Sequence, residues 1–214
     1  MRRAHARRDL AWSMREQRVS RCCSTCSAAS GALEHLTHLW LTQNQIADAG
    51  MKAFADAIRR GVLPELTNLS LSFNRISDPG LSSLSEALAS GALPNLEKLY
   101  LMSNRVGDAG LTAFASAIRS GALGNLTTLF LNRNQIGDAG LSALAGAVRS
   151  GSLANLRELF FAENKIGDAG LLSLSEAIGK GSLPKLVEVF GLGNPANGMG
   201  VLEACRARGI RCLV

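Results

Sequence analysis

One pattern of thirty residues returns along nearly the whole chain without changing its period, and no other feature limits the possible folds so sharply. It is plainest in Leu126, Leu129, Leu131, Asn134, Ile136, Asp138 and Gly140. The same roles fall to Leu36, Leu39, Leu41, Asn44, Ile46, Asp48 and Gly50, and then to Leu66, Leu69, Leu71, Asn74, Ile76, Asp78 and Gly80. Further copies run over 96–110 and 156–170, and a sixth, over 186–200, is decayed. A unit this short cannot bury its apolar face alone, so copies must stack and share one core. The expected organisation is a basic leader, 1–30, followed by one elongated domain, 31–214. Its repeats are 31–60, 61–90, 91–120, 121–150, 151–180 and a divergent end, 181–214.

Each copy reads as strand, turn, helix and loop. Leu39 and Leu41 alternate with variable residues at 38, 40 and 42, the period of a short strand with one face in the core. The period then changes: Met51, Phe54 and Ile58, or Leu81, Leu84 and Leu88, form one stripe of a helix. Asp48, Asp78, Asp108, Asp138 and Asp168 are expected to cap the N-termini of their own helices, with Pro79 suited to the first helical position. Gly61, Gly91, Gly121, Gly151 and Gly181 suit the left-handed residue that closes each helix. Ala57, Ala87, Ala117, Ala147, Ala177 and Ala207 offer a methyl group wherever neighbouring helices approach.

The pattern L-x-x-L-x-L-x-x-N resembles the leucine-rich repeat family, and a period near thirty with a helical second half is similar to its ribonuclease-inhibitor-like branch. The resemblance implies an α/β solenoid, a horseshoe of about six repeats with a concave parallel β-sheet and convex helices. It also implies that Asn44, Asn74, Asn104, Asn134, Asn164 and Asn194 are buried and bond neighbouring backbone groups. Relatives of this kind include ribonuclease inhibitors, activators of the Ran GTPase and the sensing arrays of NOD-like receptors. What they share is the binding of a macromolecule rather than one chemistry.

Composition narrows the setting. Seven of the 23 basic residues lie in the first thirty positions, which hold only Asp9 and Glu16 as acids. The remaining 16 basic and 15 acidic residues leave the repeats nearly neutral, with no general signal for a polyanion. Three readings of the leader stay open: an organelle transit peptide, a disordered basic tail, or the eroded end of a longer array with 21–30 as a degenerate helix. Cys22, Cys23 and Cys26 offer three thiols, but a structural zinc site wants four ligands and only His5 is near. Five cysteines in all, at opposite ends of the chain, argue for free thiols in a reducing compartment rather than a disulfide framework. No apolar run is long enough for a membrane span. The expected location is cytoplasmic, with organelle targeting through 1–30 as the alternative.

Function is left to the positions that folding does not use. On the open face of the sheet, residue 40 and its equivalents are Trp40, Ser70, Tyr100, Phe130, Phe160 and Phe190, so that half of the ten aromatics occupy one column. Strands lie about 4.8 Å apart, which would let the rings pack edge to edge in an exposed apolar stripe of about 24 Å. Stripes of this kind mark binding sites. The flanking columns supply His38, Lys98 and Glu158 on one side, and Met102 and Asn132 on the other.

Catalysis finds little support. The three histidines, His5, His35 and His38, have no nucleophile and acid in motif order around them. Phosphate-binding and dinucleotide-binding loops are absent, no metal site or cofactor is implied, and no specific nucleic-acid motif occurs. The expectation is therefore a monomeric, non-enzymatic protein–protein interaction module that binds a protein partner on its concave face and has no small-molecule substrate. The alternatives are a regulator of a small GTPase, of the Ran-activator kind, or a fragment of a larger NOD-like-receptor-type sensor. In the last copy Gly191 replaces the inward leucine and Gly198 the aspartate, which reads as decay toward a final helix over 201–208 and an edge strand over 210–214.

Overall fold

The computed structural model of the chain describes residues 33–214 and the backbone of residues 9–11. Cys22, Cys23, Cys26 and the stretch 21–30 lie outside the described residues. The strands run β1 (Asp9–Ala11), β2 (His38–Trp40), β3 (Asn68–Ser70), β4 (Lys98–Tyr100), β5 (Thr128–Phe130), β6 (Glu158–Phe160), β7 (Glu188–Phe190) and β8 (Arg211–Leu213). Between them stand α1 (Asp48–Arg59), α2 (Asp78–Ala89), α3 (Asp108–Arg119), α4 (Asp138–Arg149), α5 (Asp168–Gly179) and α6 (Met199–Ala207). All eight strands join one parallel sheet in chain order, and each helix packs on the next. From β2 to β7 every strand is in register with the strand thirty residues on. This is the α/β leucine-rich-repeat solenoid that the period implies.

The core is a set of ladders. Leu39, Leu69, Leu99, Leu129, Leu159 and Val189 point inward from the strands and meet Met51, Leu81, Leu111, Leu141 and Leu171 from the helices. The alanine ladder is buried from Ala57 to Ala177, whereas Ala207, the last residue of the shortened α6, is exposed.

The asparagine ladder is the hinge of each repeat. After every strand from β2 to β6 one residue turns left-handed, as in Arg133 at φ 55°, and the chain bends away from the sheet. The amide of the next residue closes that bend. Asn134 Nδ2 donates to the carbonyls of Leu101 and Leu131, while its Oδ1 accepts from the Val106 N–H at 3.0 Å. From Asn74 to Asn164 each such amide is buried and joins two repeats, as the resemblance implies, and Asn194 joins two while half-buried; Asn44, also half-buried, donates to the Leu41 and Thr42 carbonyls of its own repeat.

The aspartates differ from expectation. The residues that cap the helices are Ala47, Ser77, Gly107, Gly137 and Gly167, and none of them caps its own helix through a side-chain hydrogen bond. The aspartate lies one step further on, already inside its helix, and reaches across to the next repeat. Asp138 Oδ1 accepts from the Gly167 and Gly170 N–H groups at 2.7 and 2.8 Å, and Asp108 treats Gly137 and Gly140 alike. Each carboxylate therefore satisfies free donors at the N-terminus of the following helix, which ties neighbours together instead of ending its own element. Helix closure follows expectation: Gly61, Gly91, Gly121, Gly151 and Gly181 all have positive φ.

Both ends extend the sheet. At the C-terminal end Gly209, at φ 66°, closes α6 and sends the chain into β8, which pairs with β7. At the other end, three residues of the leader form β1 and pair with β2. No periodicity signals that strand, since it falls 29 residues before β2 and lies among arginines.

Candidate interaction surface on the sheet

Parallel pairing puts residue 40 and its equivalents in one column facing away from the helices. The register runs Ala11, Trp40, Ser70, Tyr100, Phe130, Phe160, Phe190 and Leu213 across the eight strands. The five rings from Trp40 to Phe190 are in unbroken contact. Phe130 and Phe160 stack with centroids 4.4 Å apart and planes within 7°. Tyr100 meets Phe130 edge-on at 5.1 Å, and Phe160 and Phe190 are tilted at 5.7 Å. The contacts are mixed rather than edge to edge throughout, two stacked, one edge-on and one tilted, because neighbouring rings at the strand spacing can equally lie flat on one another.

Ser70 does not interrupt the column. Trp40 and Tyr100, two strands apart, lean over it until their centroids are 5.9 Å apart, and Ser70 is left 3% exposed. Its hydroxyl pairs with Thr42 Oγ1 at 2.7 Å, so the polar group is satisfied beneath the rings. All five aromatics are half-buried by their neighbours, which makes the stripe a packed surface rather than a row of free rings.

The flanking residues divide into two kinds. His38 stacks on Trp40 with centroids 6.4 Å apart and pairs through Nδ1 with Thr37 Oγ1. Lys98 and Met102 are half-buried beside Tyr100 and just past its strand. Glu158 accepts from Thr128 Oγ1 at 3.1 Å. Its charge, added to the larger effect of burial, raises the pKa of the Tyr100 phenol. Asn132 is partly committed to the fold, since its Oδ1 accepts from the Ala162 N–H at 2.9 Å. Leu213 is a member that the spacing misses: it is 50% exposed at the end of the column, where the thirty-residue period no longer holds.

No arrangement of catalytic type accompanies these side chains, and among the described residues no group of three or more His, Cys, Asp and Glu side chains could hold a metal ion. Among them no helix is long and apolar enough to cross a membrane.

Comparison with known proteins bears on the repeat itself. A family profile described as "Leucine Rich repeat" matches residues 32–55, 63–85, 92–115, 125–145 and 152–175, together more than half of the chain. No curated protein matches. Among 159 matching chains of solved structures is one described as "Crystal structure of TLR13-ssRNA13 complex". It is 23% identical, with a TM-score of 0.46, and the match covers 78% of this chain and 20% of that one. The present chain thus spans about a fifth of that structure's length. Arrays of this repeat are in general interaction folds rather than enzymes. By its period, its strand-and-helix unit and the matched residues, the chain belongs to the leucine-rich repeat family.

Proposed function

We propose that the chain is a non-enzymatic binding module whose concave sheet face docks a protein, with Tyr100, Phe130 and Phe160 at the centre of the contact. The observation that carries this reading is the unbroken run of ring contacts from Trp40 to Phe190. Rings held against one another have already lost their rotamer freedom, so docking on them costs little further ordering. Aromatic residues placed centrally are also those that dominate interface energies. His38, Lys98 and Glu158 would supply a polar rim on one side, with Met102 and Asn132 flanking the stripe on the other. The 30-residue unit with a full helix supports the ribonuclease-inhibitor-like branch.

The test is an affinity capture from native lysate with the full chain, run beside a Tyr100→Ala, Phe130→Ala, Phe160→Ala variant and a variant altered only on exposed helix positions such as Leu172 and Lys52. A protein retained by wild type and the helix variant, and lost from the aromatic variant with unchanged circular dichroism, supports the concave face. Loss from the helix variant alone moves the surface to the convex side and overturns the proposal.

A further inference from the structure

The segment that turns the chain away from β3 carries a side chain its equivalents do not. In the other repeats the left-handed residue of this turn is Gln43, Ser103, Arg133 or Glu163, all polar. Here it is Phe73, at φ 56° and 39% exposed. Among the described residues its ring joins none of the contacts of the aromatic column. A bulky side chain at positive φ is strained. Leu93 and Leu123 share the conformation, but both are buried in the core, where packing offsets it, and Phe73 gains less than they do. Ser72, just before it, holds a buried hydroxyl with no hydrogen-bond partner among the described residues. Two adjacent residues are thus held in ways that folding alone does not favour.

Two cations stand beside this turn. Arg75 follows Phe73 by two residues, and Arg105 holds the same place one repeat on. Their backbone N–H groups donate to the carbonyls of Ile46 and Ile76, which sets the two arginines side by side at roughly the strand spacing of about 4.8 Å. Both are exposed, and among the described residues neither guanidinium has a hydrogen bond or an ion pair. The acids nearest in sequence are committed elsewhere, Asp78 to the Gly107 N–H and Asp108 to the Gly137 and Gly140 N–H groups. Further along the rim Gln135 breaks the row before Lys165, and Arg133 is paired with Glu163. Unpaired positive charge and an exposed ring therefore coincide where the second and third repeats meet.

We propose that Phe73, Arg75 and Arg105 form an anchor on the rim of the concave face for an acidic segment of the protein partner. The proposal rests on the reading that this face docks a protein, and it adds the chemistry of what docks. Each guanidinium can hold a carboxylate through two parallel N–H donors, so neighbouring arginines suit two carboxylates on one extended segment. An apolar side chain of the same segment covers Phe73. The Phe73 N–H donates to Met102 O at 2.8 Å, which places the anchor beside Met102 and lets a segment bound there continue onto Tyr100 and the column. A nucleic-acid backbone, by contrast, is held by a longer run of cations than two arginines ended by a glutamine.

The test pans a phage-displayed library of random peptides on the purified full chain and measures the enriched peptides, labelled with fluorescein, by anisotropy. The expected class carries several Asp or Glu residues beside an apolar one. Its affinity should fall at least about tenfold in the double variant Arg75→Gln, Arg105→Gln and in Phe73→Asn. Asparagine tolerates a left-handed backbone, so Phe73→Asn removes the ring and keeps the turn. Folding of each variant is checked by circular dichroism, and the exposed arginines give the reading even should Phe73→Asn fail to fold. Tyr100→Ala, Phe130→Ala, Phe160→Ala separates rim from column. Acidic peptides kept by this aromatic variant and lost from the arginine variant support the anchor, and loss from both supports a segment that spans rim and column. Peptides lost from the aromatic variant and unchanged in the arginine variant leave the column as the docking surface and overturn the anchor. Failure to enrich an acidic class, or a labelled deoxythymidine oligomer bound more tightly than any peptide and lost from the arginine variant, would also overturn it.

Discussion

The ring of Phe161 occupies the space that Gly191 leaves in the next strand. Leu41, Leu71, Leu101 and Leu131 hold the position of Phe161 in the earlier repeats, and Phe161 is fully buried all the same. A Cβ on residue 191 would lie 2.7 Å from Phe161 Cζ, well inside contact distance. The glycine that reads as erosion of the sixth copy is therefore the complement of a larger residue in the fifth.

Restoring leucine at either position alone should fail. Gly191→Leu drives a side chain into the Phe161 ring and should cost about 1–3 kcal/mol by overpacking. Phe161→Leu leaves the glycine facing a void and should cost a similar amount, about 1–3 kcal/mol. The double variant recreates the leucine pair of the earlier repeats and should recover most of the loss. Guanidinium unfolding of all four proteins gives the coupling; strictly additive losses would show that the two sites do not share this space.

Asp138 and Gly170 make a second such pair, formed between helices. The Asp138 carboxylate accepts from two backbone N–H groups of the next repeat, and a Cβ on Gly170 would meet its Oδ1 at 2.7 Å. Asp138→Ala should cost about 0.5–2 kcal/mol, as loss of a cap does. Gly170→Ala should also destabilise, and by less once Asp138 is already Ala, with a remainder from the residue 138 Cα at 3.0 Å and Ile166 Cγ2 at 3.1 Å, which stay in place. Thermal melts of the single and double variants test it, and full additivity would count against the shared contact.

How much of this was legible depends on whether a residue acts within its own repeat. The strand at Leu39, the closing turn at Gly61 and the asparagine at 134 follow from local pattern and from a period that fixes the neighbours. The aspartates mislead for a physical reason. Next to a helix start, a carboxylate serves its own helix or the neighbouring one equally well, and sequence alone does not distinguish thirty residues on from zero. The rings of the column are legible as residues, but the lean of Trp40 over Ser70 is not, because it depends on the size of two side chains separated by a strand. Phe161 and Gly191 keep the thirty-residue spacing that makes them neighbours, but that the ring fills the space of a missing side chain is a matter of packing that position alone does not state.

Asn134 should be among the least replaceable polar residues. Its amide donates to Leu101 O and Leu131 O at 3.0 Å each, its carbonyl accepts from Val106, and the residue is 8% exposed. Asn134→Ala strands several backbone groups, at about 1–3 kcal/mol for each one left unpaired. Asn134→Asp is nearly the same shape but turns an acceptor toward the carbonyls that the amide served. It should destabilise at least as much as alanine at neutral pH, measured by denaturant midpoints. A mild effect of the aspartate would mean that shape rather than donation holds the turn.

Tyr100 should give the column a characteristic response to alkali. It is the single tyrosine of the chain, so its ionisation can be followed by absorbance without interference from another phenol. Burial, and then the negative charge of Glu158, raise its pKa above the ordinary 10.0. In the folded protein the neutral phenol is thus favoured relative to the unfolded chain. The corresponding stability is complete below the unfolded pKa and is lost as pH rises through the folded one. The absorbance midpoint should lie above 10.0 in the native protein, move down in Glu158→Gln without reaching 10.0, and fall to the ordinary value in denaturant. Tyr100→Phe, which keeps the ring against Phe130, should lose less stability than wild type between neutral and alkaline pH. A native midpoint at or below the denatured one would mean that the phenol is solvated and the ring does not pack into the column as described.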